Sequence, residues 1–171
     1  SYSAGVSACE KCEQWQQALS LLRTSLEARS QHSVASHNAG ISACEKGGQW
    51  HRALSLLEDM GRMRLELDVI SYSAGISACE KDGEWQHALS LLSDLVLSKL
   101  EVNVIGYNSG ISSCEKGGQW QMALLLLSEL HQGAVERDIV SYNAGISACA
   151  KGEQWQLALT LLSEMREVKL E

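Results

Sequence analysis

Five tryptophans, Trp15, Trp50, Trp85, Trp120 and Trp155, follow one another at intervals of 35 residues without a slip. The ten residues ending at each are close copies: "VSACEKCEQW" (6–15), "ISACEKGGQW" (41–50), "ISACEKDGEW" (76–85), "ISSCEKGGQW" (111–120) and "ISACAKGEQW" (146–155). A fixed period of this length constrains the fold more than any other feature. Each period is one supersecondary unit that cannot bury its apolar face alone, and stacked neighbours supply the core. The 171 residues therefore read as a stack of units without a single central core. A Cys, a Glu-Lys pair and a Trp stamped five times form a repeating pattern, not one compact site.

The stretch 69–103, "VISYSAGISACEKDGEWQHALSLLSDLVLSKLEVN", shows the shape of a unit. It splits at Asp82-Gly83 into two helical patterns. In the first, Tyr72, Ile76 and Cys79 stand at i, i+4 and i+7, an apolar helix stripe. Ser71 precedes it as an N-cap, as Ser36 and Ser141 do in their units. The second begins near Trp85 and carries Ala88, Leu89, Leu91, Leu92 and Leu95. Gly83, with Gly48 and Gly118, supplies the turn. Alternation of the strand type is absent. The expected fold is all-α: a right-handed α-solenoid of about five stacked helical hairpins. Gly5, Gly40, Gly75, Gly110 and Gly145 fall inside the first helices at about 1 kcal/mol each relative to Ala, which points to close approach of neighbouring helices.

Composition agrees. The chain has no Pro to interrupt helices, and its apolar fraction is an ordinary 45%. No apolar run nears the roughly 18 residues of a membrane span, and no signal or transit segment opens the chain. Residue 1 falls inside a repeat and residue 171 just short of the end of another, so the chain reads as an excerpt of a longer array. Five of the six cysteines (Cys9, Cys44, Cys79, Cys114, Cys149) share the 35-residue period. Equivalent positions in stacked helices lie about 8–10 Å apart, beyond the roughly 7 Å Cα reach of a disulfide. They are expected to be reduced core residues.

A 35-residue hairpin with these residues resembles the pentatricopeptide repeat. The features that carry the likeness are "IVSYN" at 139–143, Lys151, the turn glycines, Ala158-Leu159 and Met165. The likeness covers essentially the whole chain, as units 1–33, 34–68, 69–103, 104–138 and 139–171, the two end units truncated. Two departures stand out: Gly75 and its equivalents replace a usual Leu, and the usual Pro near the unit's end is missing.

The resemblance implies single-stranded RNA as partner, one base per repeat, read by the residue after the Tyr together with the last residue of the unit. The pairs are Ser3 with Ser33, Asn38 with Asp68, Ser73 with Asn103, and Asn108 with Asp138. Asn143 stands without its closing residue. In the family's code, Asn with Asp favours uracil and Ser with Asn favours adenine, so the implied preference is 5′-N-U-A-U-Y-3′. Ala35, Ile70, Ile105 and Val140 would stack between bases. Lys11, Lys46, Lys81, Lys116 and Lys151 form a ladder that matches regularly spaced phosphates; the rival reading is a solvated helix end where Lys complements the dipole. The resemblance also implies an organellar protein of RNA processing, stability or translation.

A net charge of −7 and a pI near 5.2 run against the usual basic footprint of a nucleic-acid binder. Much of the acid (Glu58, Asp59, Asp94, Glu129, Glu164) is expected to face outward from second helices, while Glu10, Glu45, Glu80 and Glu115 partly cancel the ladder lysines. The Trp ladder is read as buried packing beside the Ala-Leu face rather than as base-stacking platforms. Cys9 and Cys12 form a lone CxxC, too little for zinc. The histidines (His32, His37, His51, His87, His131) share no register, and His37 replaces the Tyr of its unit. No nucleophile–base constellation appears: the expectation is a monomeric binding protein without cofactor or metal, not an enzyme. The alternative is a protein-interaction scaffold that takes a peptide or basic partner in the concave groove.

Overall fold

The computed structural model of the chain describes residues 2–12, 14–27, 33–101, 103–132 and 137–168; His32 and the side chain of His131 lie outside the described part. Among the described residues there are ten α-helices and no strands: α1 (Tyr2–Lys11), α2 (Trp15–Glu27), α3 (Val34–Lys46), α4 (Trp50–Arg62), α5 (Val69–Asp82), α6 (Trp85–Leu97), α7 (Val104–Lys116), α8 (Trp120–Gln132), α9 (Ile139–Lys151) and α10 (Trp155–Glu167). Contacts gather them into two compact units, residues 1–78 and 79–171, with α5 running across the boundary. In the first, α1 packs on α2 and α3, and α3 on α2 and α4. In the second, α7 packs on α6, α8 and α9, and α9 on α8 and α10. A first helix thus touches its own partner, the preceding second helix and the next first helix, the neighbour pattern of an α-solenoid.

The helices begin earlier than expected. Ser33 caps α3, its hydroxyl accepting the Ser36 N–H at 3.2 Å. Asp68 Oδ1 accepts the Ser71 N–H at 2.8 Å, Asn103 Oδ1 the Gly106 N–H at 2.9 Å, and Asp138 Oδ1 the Ser141 N–H at 2.8 Å. Ser36, Ser71 and Ser141 are therefore not the caps but the residues three positions on. Around α9 the Ser141 hydroxyl returns the bond, accepting the Asp138 N–H at 3.0 Å, which closes a capping box. The reason is local: the two residues before the serine fit the first helical turn as soon as a side chain takes the orphan N–H.

Each first helix ends in the same way. In α3 the Gln49 N–H reaches Cys44 O at 2.8 Å and the Gly48 N–H reaches Glu45 O at 3.1 Å, with Gly48 at φ +66°. This is a Schellman termination, repeated with Gly83 and Gly118, both at φ +71°. At the same place α9 has Glu153, at φ +59°, a left-handed backbone that costs an L-residue about 1–2 kcal/mol.

The expected stripe is buried: Ile76 and Cys79 completely, Tyr72 nearly so. On α6, Ala88, Leu92 and Leu95 are buried, while Leu89 and Leu91 are half-covered. All six cysteines are free; Cys44, Cys79, Cys114 and Cys149 are buried, Cys9 half-buried and Cys12 exposed. Burial pushes the Cys44 thiol up to about 11, with Arg52 pulling slightly the other way, and Cys114 to about 11. These thiols are inert packing atoms. His37, in the Tyr place, is buried with its Nδ1 3.1 Å from Ser33 O.

The first-helix glycines mark close approach. A Cβ on Gly145 would lie 2.9 Å from Leu127 of the preceding second helix and 3.5 Å from Leu161 of its own. On Gly110 it would meet Leu92 at 3.6 Å and Leu126 at 3.3 Å; on Gly40 it would overlap Leu22. A larger residue at these positions fits only if the facing leucine tips give way.

The tryptophans differ from expectation. Trp15, Trp50, Trp85 and Trp120 are half-buried rather than core, and Trp155 is 62% exposed. Trp15 lies on Gly47, Trp85 on Gly117 and Trp120 on Gly152, so closely that a Cβ on any of these glycines would overlap the indole. The ring is a plug against the turn of the following hairpin, so its outer edge stays in water. No such turn covers Trp155 among the described residues.

Replacing Glu153 by Gly removes the left-handed strain at the cost of unfolded-chain entropy, about 0.4–1 kcal/mol. The expected net result is a gain of about 0.5–1 kcal/mol, read as a raised urea midpoint with unchanged slope.

Candidate nucleic-acid interface

The residue that closes one repeat and the residue after the Tyr position meet side chain to side chain. In the first unit Asn38 Nδ2 donates to Asp68 Oδ1 at 3.1 Å. The Ser71 hydroxyl lies 2.7 Å from Asn38 Oδ1 and 2.8 Å from Asp68 Oδ1, so its single hydrogen serves one or the other. In the second unit Asn108 Nδ2 donates to both oxygens of Asp138, at 3.1 and 3.0 Å. Asn108 Oδ1 is enclosed and has no hydrogen-bond partner among the described residues. Two positions 30 residues apart thus form one polar cluster because the closing residue caps the first helix of the next repeat, which packs beside the Asn-bearing first helix.

The other expected readers are placed less uniformly. Ser33 is engaged as the cap of α3 and lies 2.7 Å from the Ser36 hydroxyl, while Ser3 is half-buried on α1. Ser73 is buried on α5, and Asn103 caps α7. Asn38 is buried as well, Asn108 half-buried and Asn143 exposed. At the position after the Tyr, Asn38 and Asn108 are thus covered by the capping cluster of the next first helix.

The aliphatics expected to stack lie in the open. Ile70 is 65% exposed, Ile105 58% and Val140 55%, and Ala35 is exposed too. Large apolar side chains in the first turn of a helix, pointing to solvent, gain nothing from packing between repeats. In the first unit Ala35, Asn38, Asp68 and Ile70 line one open cleft of about 540 Å³, together with Ser7 and Glu10.

The lysine ladder is not free. Lys46 Nζ lies 3.3 Å from Glu10, Lys116 Nζ 3.4 Å from Glu80 and Lys151 Nζ 2.9 Å from Glu115. The Ser42 hydroxyl donates to the same Glu10 oxygen at 3.0 Å, and Ser147 to Glu115 at 2.7 Å. The acid of one repeat is therefore clamped by the Ser and Lys of the next, 32 and 36 residues on. Sequence reasoning set each Glu against the Lys beside it and missed this. The signal was a Ser and a Lys one helical turn apart, repeated at each period. Lys11 and Lys81 are exposed at the ends of α1 and α5.

Two of these carboxylates are perturbed. Burial works against ionisation of Asp68, but the Ser71 N–H and hydroxyl, the Asn38 amide and the Ile70 N–H outweigh it, holding the carboxyl below its ordinary value. Burial likewise opposes charge on Glu115, and the hydrogen bonds and charge of Lys151, with the Ser147 hydroxyl, lower it. Among the described residues no group of three or more His, Cys, Asp or Glu is placed to hold a metal, and no helix is long and apolar enough to cross a membrane.

With this geometry the chain can be set beside known proteins. The pentatricopeptide repeat domain pattern matches residues 55–116, 90–149 and 125–171, and the PPR repeat pattern matches residues 36–65. The chain belongs to the pentatricopeptide repeat family. It is similar in fold to the pentatricopeptide repeat protein PPR10 from maize, with 24% identity and TM-score 0.80 over 99% of this chain and 24% of that one. Against the same protein in complex with an 18-nt psaJ RNA element the TM-score is 0.74 at 22% identity, over 97% of this chain and 28% of that one. The PPR domain of Arabidopsis thaliana protein-only RNase P 1 in complex with tRNA is matched at TM-score 0.86 and 12% identity, over all of this chain and 92% of that one. The chain thus spans about a quarter of maize PPR10. No curated protein sequence matches it.

Both depressed carboxylates stabilise the fold fully above the ordinary carboxylate range and lose that contribution as the pH falls through their lowered values. A thermal melt followed from pH 7 downward should show a steep acid limb. Asp68→Asn with Glu115→Gln should flatten that limb, while costing on the order of 1 kcal/mol at neutral pH for the weakened cap.

Proposed function

We propose that the chain is a sequence-selective single-stranded RNA-binding module, one base per repeat, with the preference 5′-N-U-A-U-Y-3′. It acts by occupying RNA in an organellar setting of RNA processing, stability or translation, as a monomer and without catalysis of its own. One observation carries the reading: the cleft that brings Ala35 and Ile70 together with the Asn38–Asp68 pair. Apolar side chains offer faces for a base to stack on, and the carboxamide and carboxylate offer an edge to read it. Asn108 Oδ1, an acceptor with no partner among the described residues, suits a donor such as the uracil N3–H, after a turn of the carboxamide brings it to the surface.

The engaged lysines qualify how affinity arises. RNA phosphates compete with Glu10, Glu80 and Glu115 for Lys46, Lys116 and Lys151, so each phosphate bound costs an existing ion pair. Binding is therefore weak and strongly salt-sensitive.

Titration against single-stranded RNAs containing UAUC or UAUU, in low and moderate salt, should give tighter binding than scrambled controls. Equal affinity for every sequence would sink base reading, and no binding at any salt would favour the peptide-scaffold alternative. Ser73→Asn with Asn103→Asp should move the preferred middle base from A toward U.

A second titration addresses the lysines. Glu10→Gln, Glu80→Gln and Glu115→Gln together release three of them. Affinity should rise, and the salt slope should steepen by about 0.7 for each further phosphate neutralised; an unchanged slope would mean that the ladder is structural.

A further inference from the structure

The second helices carry a departure from the repeat that faces outward. Where α6 has Leu97, the other repeats have Glu27, Arg62, Gln132 and Glu167; where α8 has Leu125, they have Ser20, Ser55, Ser90 and Thr160. In each case four polar residues stand against one leucine. The leucines are 78% and 48% exposed, so neither substitution is explained by packing within the chain. Both line a single groove of about 440 Å³ in the second unit, with Leu92 and Leu126, Tyr107 and Glu129 among its walls. In a chain of near-copies, departures that turn two outward polar positions apolar and converge on one groove mark a surface meant to be covered.

The groove also says what covers it. It lies against two helices, α6 and α8, and a furrow between helices takes the ridge of a third. Glu129 is the one charged residue among those lining it, and exposed Asp94 stands one turn before Leu97 on α6. Burial, and then the negative charge of Glu129, push the Tyr107 phenol up, so Glu129 brings negative charge to the groove wall. A second copy of this chain, at −7, would bring like charge against like, and an anionic membrane surface would do the same. A partner with a cationic rim gains from both surfaces.

We propose that the α6–α8 groove docks an amphipathic helix of a partner protein, its apolar face flanked by Lys or Arg. None of the expected base readers, stackers or ladder lysines lines this groove, so the site stands whether or not the chain binds RNA.

The probes are labelled peptides of about four helical turns, with leucines along one face and either lysines or glutamates flanking it, and a proline-broken control. The lysine-flanked helix should bind the chain. Leu97→Arg with Leu125→Ser, which restores the residues of the second repeat, should weaken it by about tenfold or more, and Glu129→Gln should weaken it less. The glutamate-flanked and proline-broken peptides should not bind. Circular dichroism confirms that the double variant is folded; if it is not, Leu97→Gln, the residue of the fourth repeat, carries the same comparison. Binding that ignores either the leucines or the flanking charge overturns the proposal. So does leucine-dependent dimerisation in sedimentation at the concentrations of the titration, or leucine-dependent capture by vesicles containing phosphatidylglycerol.

Discussion

Leucines from two successive second helices converge on one glycine of the first helix between them. Leu22 and Leu56 close on Gly40, Leu92 and Leu126 on Gly110, Leu127 and Leu161 on Gly145. A side chain at those glycines would require the leucine tips to shift, and the helix accepts about 1 kcal/mol per glycine relative to Ala. The same logic places Gly47, Gly117 and Gly152 under the indoles of Trp15, Trp85 and Trp120. These two kinds of packing set the offset of one hairpin on the next within each compact unit. Once that offset is set, residues 30, 32 and 36 apart become neighbours, and every polar partnership between repeats follows from it.

One such partnership joins stability to recognition. Ser33, Asp68, Asn103 and Asp138 each begin a helix as its cap, and the same residues are the closing members of the proposed base-reading pairs. Ser, Asp and Asn are the side chains best suited to an N-cap, so capping alone restricts this position to residues that also differ as donors and acceptors. A capping position can therefore vary in its donors and acceptors without losing its helix. The Asn38–Asp68 and Asn108–Asp138 bonds hold the pair in one arrangement at the expense of groups that would otherwise be offered to a ligand. The lysine clamp has the same character: Glu10, Glu80 and Glu115 tie repeats together by occupying the cations that phosphates would use.

The pattern in the chain made some features legible and concealed others. The hairpin, the turn at Gly48, Gly83 and Gly118, the buried cysteines and the tight first-helix glycines were all readable, because each depends on spacing within one helix or one turn. The capping serines were misplaced by three residues, since Ser71 and Asp68 are both good caps and only the backbone shows which one is half outside the helix. Tryptophan looked like core because it stands beside an Ala-Leu face. Its exposure depends on the next hairpin's turn, which covers Trp120 and not Trp155. Ser73 and Asn38, expected to contact a base, are both buried. For Asn38 the cover comes from the next helix's cap, which a single-helix projection omits.

By itself the sequence determined the period, the all-α hairpin and the family to which the chain belongs, because a pattern repeated five times identifies the positions whose chemistry is constrained. Only the tertiary structure decided which acid meets which lysine, that Asn108 meets Asp138, and that Leu97 and Leu125 share a groove. The physical reason is register. Backbone hydrogen bonds and apolar stripes act over a few residues and leave a local trace. The offset between hairpins is set by the fit of leucine and indole against glycine, and it brings together side chains more than 25 positions apart.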